Sequence, residues 1–155
     1  MHDIKTIYDR LGIDTSRLSE YTTTDICEKY KLASRPALQT WIQAGFVAPS
    51  IKQASGKGAA AAWSYGDLVK IKVFKTLIDT GVTRRIASFV AQHIGPYFDF
   101  PSEIQKAEKV WFEVYLDGGT LKGSRASIEP PVENRDRASV LVAVNLSKIV
   151  AELKV

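Results

Sequence analysis

Residues 22–49 read TTTDICEKYKLASRPALQTWIQAGFVAP, and this stretch decides the fold. It has the pattern of two short helices joined by a tight turn. Thr22 or Thr23 is suited to cap the first, and Ile26, Cys27 and Tyr30 give it apolar positions at helical spacing. Lys31-Leu32-Ala33 is too short to be more than a connection. Ser34 is a good N-cap for the second helix, with Pro36 tolerated in its first turn. Leu38, Trp41 and Ile42 then fall at i, i+3 and i+4 and share one face, while Arg35, Gln39, Thr40 and Gln43 fall mostly on the other. Gly45 ends the helix in a C′ role. A short polar second helix bearing Arg and Gln is the pattern of a helix-turn-helix that reads DNA.

The rest of the chain is consistent with an intracellular partner of a polyanion. Its 155 residues hold one domain, or one and a small second one, and 45% apolar against 25% charged residues is ordinary for a globular protein. No run of 18 apolar residues exists, and the acidic, weakly apolar N-terminus does not read as a signal peptide. One cysteine, Cys27, excludes an internal disulfide and a multi-thiolate zinc site. The net charge of +4 is unevenly spread. Residues 20–94 carry ten Lys/Arg and five Asp/Glu, residues 1–19 three of each, and residues 95–155 eight and nine. The positive excess lies with the two-helix stretch.

Outward from that stretch, residues 3–11 place Ile4, Ile7, Tyr8 and Leu11 on one face of a short lead-in helix. On the other side, residues 50–62 (SIKQASGKGAAAA) have no helical period and centre on Gly56-Lys57-Gly58. A hairpin with Lys at its tip would form a wing that rests on phosphates. The same composition fits an exposed flexible loop. Ser64, three residues before Asp67, starts a helix that runs to about Thr80, with Leu68, Ile71, Phe74, Leu77 and Ile78 inward. Lys70, Lys72 and Lys75 read as its solvated face. After Gly81, Thr83 caps a further helix to Ile94, with Ile86, Phe89, Val90 and Ile94 at helical spacing. Arg84 and Arg85 lie in its first turn, where positive charge opposes the helix dipole. They are either phosphate contacts or merely tolerated there.

Gly95-Pro96 and the aromatic, Pro-containing residues 96–109 mark a junction. Beyond it, Phe112, Val114 and Leu116 alternate with Trp111, Glu113 and Tyr115 as a strand, and Asp117-Gly118-Gly119 signals a hairpin turn. Residues 120–128 form a weaker returning strand. Residues 129–137 read as a polar loop. Residues 139–144 (SVLVAV) read as a central, doubly covered strand, and Asn145 or Ser147 caps a final helix. The expected fold is therefore α+β. Residues 1–95 form a winged helix-turn-helix domain, and residues 96–155 a small α/β module suited to dimerisation.

Catalytic chemistry finds little support. There is no Gly-rich phosphate loop and no GxSxG, and the two histidines, His2 and His93, have no evident partner. His93 is more readily a satisfied residue near a helix C-terminus than a catalyst. Cys27 reads as packing on a buried face. No acidic cluster has metal spacing, so no cofactor or metal is expected.

In order, Leu38, Trp41, Gly45-Phe46-Val47, Pro49, Trp63-Ser64, Asp67-Leu68, Gly81-Val82 and Ile86 resemble the MerR family of winged-helix DNA-binding domains over residues 20–94, about half the chain. The family's usual Arg after the second-helix Leu is here Gln39, the first residue of its aromatic pair is Thr40, and its wing Arg is replaced within residues 59–62. The long dimerisation helix of the family is interrupted at Gly95-Pro96 and Pro101. The resemblance implies a transcriptional regulator that acts on double-stranded DNA. Without an apolar span it is expected in the cytoplasm, at the nucleoid and away from membranes, and a palindromic site would call for a homodimer joined through the C-terminal sheet. The helix over residues 34–44 would lie in the major groove. Arg35 and Gln39 would read bases, Ser34, Thr40, Lys52 and Lys57 would hold phosphates, and Arg84 and Arg85 would add to the interface. Two other readings stay open. One is an excisionase-like, partition or packaging factor that shapes DNA. The other is a winged protein-interaction module without DNA contacts.

Overall fold

The structure, a computed structural model, describes residues 19–94, 111–118, 120–127 and 140–153. The lead-in helix expected over residues 3–11, the junction over 96–109 and the polar loop over 129–137 lie outside the described residues. The chain divides into two compact units, Met1–Pro101 and Ser102–Val155.

In the first unit the chain enters α1 (Asp25–Lys29) through a reciprocal cap. The Asp25 amide donates to Thr22 Oγ1 at 3.0 Å, and the Thr22 amide donates to Asp25 Oδ2 at 2.8 Å. α1 is wider than the regular helix expected, because its closing bonds are of the π type: the Tyr30 amide donates to the Asp25 carbonyl. Only Ile26 is buried there, and Cys27, expected on a buried face, is partly exposed. The turn that follows puts Lys31 at φ 51°, a left-handed conformation that costs a non-Gly residue about 1 kcal/mol. Ser34 then caps α2 (Arg35–Gln43), its Oγ accepting from the Ala37 amide at 3.2 Å. α2 ends as the sequence foretells. Gly45 at φ 75° lets the Phe46 amide reach the Trp41 carbonyl and the Gly45 amide reach that of Ile42.

Residues 50–62 leave α2 and return. Lys52 and Ala62 exchange two backbone bonds, and Trp63 exchanges two with Tyr21. These bridges set Tyr21, residues 62–63 and Lys52 side by side and close residues 53–61 into a loop. α3 (Tyr65–Asp79) starts at a complete capping box between Ser64 and Asp67, and α4 (Arg84–Gln92) at Thr83. The core of this unit gathers Ile26, Leu38, Trp41, Trp63, Leu68 and Phe74, all buried. Trp41 meets Phe74 edge-on with ring centroids 4.9 Å apart, and Phe46 stacks on Phe74 at 5.9 Å. Two expected core positions face outward instead: Ile42 and Ile86 are each 38% exposed. Both sit at the edge of their helix's apolar stripe. In α4 the smaller Ala87 and Ala91 with Val90 fill the contact that Ile86 was expected to share.

The second unit is an antiparallel sheet of order β2-β1-β3 among the described residues, made of β1 (Trp111–Asp117), β2 (Thr120–Ser127) and β3 (Val140–Asn145). Phe112, Val114 and Leu116 are buried on one face of β1, as their alternation implies, and Glu113 is buried on the other. The pairing slips at Tyr115/Leu116, so Lys122, beside Gly123, has no partner across the ladder. The strand expected to be central and doubly covered, residues 139–144, is instead β3 at the sheet edge among the described residues, and of residues 141–144 only Val144 is buried while Ala143 is exposed. The hairpin joining β1 to β2 occupies one side of β1 and β3 pairs with the other, so β1 takes the middle. α5 (Leu146–Leu153) begins with Asn145 Oδ1 accepting from the Lys148 amide at 3.1 Å, and it buries Leu146, Ile149 and Leu153.

Candidate nucleic-acid interface

α2 is held from below and open above. Leu38 and Trp41 are buried, whereas Arg35, Pro36, Gln39, Thr40, Ile42 and Gln43 are exposed. At 100° per residue the exposed arc centres on Gln39 and Gln43, one turn apart. Neither amide makes a hydrogen bond among the described residues, so both present a donor and an acceptor outward. Thr40 is less available, because its hydroxyl donates back to the Pro36 carbonyl at 2.9 Å. Ser34 Oγ is engaged as the N-cap, which leaves its proton to give.

Arg35 differs from its expected freedom. Its Nη2 donates to Thr24 Oγ1 at 2.7 Å and to Glu28 Oε1 at 3.0 Å, across the turn to α1. The guanidinium thus ties the two helices together. A pair this exposed is worth at most about 1 kcal/mol.

The turn that follows α2 is tied to α4. The Ser88 hydroxyl donates to the Phe46 carbonyl at 2.8 Å, and the Gln92 amide donates to Ser88 Oγ at 2.9 Å. The sequence carries no signal for either residue, since the partner of Ser88 lies 42 positions away and Gln92 acts through Ser88. The loop over residues 53–61 is fixed at its base. Ser50 donates to Asp67 Oδ2 from its amide at 2.8 Å and from its hydroxyl at 2.7 Å, so the carboxylate that caps α3 also anchors the loop. Burial pushes the Asp67 carboxyl up, against the bonds from Ser64 and Ser50 and the nearby Lys70 charge, which pull it down.

Lys52 lies at the loop's bridge and Lys57 between Gly56 and Gly58 at its far end, both exposed. Arg84 and Arg85 are exposed at the start of α4. Thus Ser34, Arg35, Gln39 and Thr40 come together on α2, and Lys52 and Lys57 on the loop. Arg84 and Arg85 stand at the end of α4 away from the turn that grips Phe46.

Other groups are spent on structure. His93 Nδ1 lies 2.6 Å from the Phe89 carbonyl, and its ring packs on that of Phe89. Burial pushes the Cys27 thiol up, the opposite of an activated nucleophile. A groove of about 560 Å³ beside the end of α2 is lined by Ile42, Phe46, Pro49, Ile71 and Ala91 among others, and its carboxylate, Asp67, already accepts three bonds at Oδ2 from Ser50 and Ser64. Among the described residues there is no cluster of three His, Cys, Asp or Glu side chains that could hold a metal. Nor is any described helix long and apolar enough to cross a membrane.

Over 57 residues the chain is 32% identical to uncharacterized HTH-type transcriptional regulators of Mycobacterium bovis and Mycobacterium tuberculosis, a match that covers 37% of this chain and 25% of each relative. The chain therefore spans about a quarter of the length of the curated relatives it matches. No family model matches. The similarity points to helix-turn-helix proteins in general, and the mixed helix-and-sheet structure is consistent with a helical domain of that kind.

Proposed function

We propose that this chain is a sequence-specific DNA-binding protein, a transcriptional regulator of winged, MerR-like organisation, with a binding rather than a catalytic role. The observation that carries this reading is the exposed arc of α2. Gln39 and Gln43 stand unbonded at its centre, on a helix seated through buried Leu38 and Trp41 and held just past its end by the bond from Ser88 to Phe46. A rigid element presenting free amides suits base edges in the major groove, where Gln pairs with adenine and Arg with guanine. The loop over residues 53–61, with Lys57 at its tip and Ser50 holding its base, would rest on the backbone as a wing, with Lys52, Arg84 and Arg85 adding phosphate contacts. The similarity to HTH-type regulators supports the same reading. The second unit would join two copies on a two-fold DNA site, and solution mass tests that role.

A gel-shift titration against mixed genomic fragments at two salt concentrations checks the DNA reading. Binding that persists on a subset of fragments at the higher salt is expected. No binding at low salt would overturn it. Binding with a steep salt slope and no fragment preference would leave only a DNA-shaping role.

A further inference from the structure

We propose that Glu28 is a built-in competitor for Arg35 that limits what the reading helix can grip, an inference that rests on the DNA-binding reading above. A guanidinium has two bidentate edges, one formed by Nη1 with Nη2 and the other by Nε with Nη2. Both include Nη2, which carries two protons. Here Nη2 donates both, one to Thr24 Oγ1 at 2.7 Å and one to Glu28 Oε1 at 3.0 Å. Each edge is therefore half occupied. Bidentate contact with the O6 and N7 of guanine requires both members of one edge, so at least one of these bonds must open first.

The pair is also electrically neutral. While Glu28 holds Arg35, that pair offers no net charge to a phosphate. Arg35 and Glu28 are 55% and 65% exposed, so the bond is weak enough for a well-placed base to displace it. A bidentate base contact replaces what is lost, whereas a single phosphate contact replaces less of it. Glu28 thereby lowers backbone binding more than base-specific binding, and it acts as a specificity-determining residue without touching DNA. Thr24 shares the restraint without carrying charge.

The test is fluorescence anisotropy of the full chain on a random-sequence duplex across a salt series, with folding of each variant checked by circular dichroism. Glu28→Gln should bind about two- to fivefold more tightly, and its log–log salt slope should steepen by about one because one more phosphate is neutralised. The same substitution in an Arg35→Gln background should change nothing. Thr24→Val should tighten binding less and leave the slope unchanged, and it carries the test if Glu28→Gln does not fold. An equal gain in the Arg35→Gln background would mean general loss of negative charge and would overturn the proposal. So would no gain on an unaltered chain that binds DNA. Failure of the unaltered chain to bind any duplex at low salt would overturn the DNA reading itself.

Discussion

Trp63→Ala should unfold the first unit or leave it barely stable. The indole is fully buried, its Nε1 donates to Thr23 Oγ1 at 3.2 Å, and its backbone exchanges two bonds with Tyr21. Truncating a buried aromatic of this size costs about 3–5 kcal/mol. That is a large part of the roughly 5–15 kcal/mol that holds a domain together. The loss falls where residues 62–63 join the entry to α1 with the loop and the start of α3, so the three should come apart together. Urea unfolding followed by near-ultraviolet circular dichroism checks it. A midpoint within experimental scatter of the unaltered chain would show that Trp63 is not a keystone of this core.

Asp67→Ala is the second large loss. One carboxylate oxygen accepts from the Ser64 amide at 2.9 Å, the Ser50 amide at 2.8 Å and the Ser50 hydroxyl at 2.7 Å. Removing it takes away half of a capping box and orphans amides in a buried setting, a cost of about 2–4 kcal/mol. Ser50→Ala keeps the cap and loses only the hydroxyl contact. It should cost about 1 kcal/mol and raise hydrogen exchange in residues 51–62 more than in α3. The carboxylate also leaves a pH signature. Its native pKa is raised above the unfolded value, so in the window between the two the native chain binds more protons than the unfolded one. Stability from this group is highest below that window, falls as pH rises through it and is level above. Replacing it with Asn should remove that slope, so the stability advantage of the unaltered chain should shrink as pH rises through that window and be level above it. An advantage that grows as pH rises would contradict this assignment.

Local signals were legible wherever one residue and its near neighbours decide the outcome. Ser34, Ser64 and Thr83 cap helices as their side chains dictate, and Gly45 and Gly81 end them at positive φ. The Phe112, Val114, Leu116 alternation marks the buried face of β1. What escaped depends on distant partners. An apolar run such as residues 140–144 reads as a covered strand, yet β3 leaves Ala143 exposed at the edge of the described sheet, because which strands flank β1 is decided by long-range pairing and not by the run itself. Ile42 and Ile86 have the spacing of core residues, but the stripe they border is filled by others. At the candidate interface, the polar face of α2 was visible from Arg35, Gln39, Thr40 and Gln43. The restraint of Arg35 by Glu28, seven positions away and across a turn, and the grip of Ser88 on Phe46 were not.

Sequence reading by α2 is tested most directly by selecting bound duplexes from a randomised pool, first with the unaltered chain and then with Arg35→Ala and Gln39→Ala together. The expected result is a defined sequence enriched by the unaltered chain. The double variant should lose preference at the positions those two side chains meet, by about 1–3 kcal/mol for each contact, while binding to the backbone persists. Enrichment of the same sequence by both proteins, or of none by either, would contradict it.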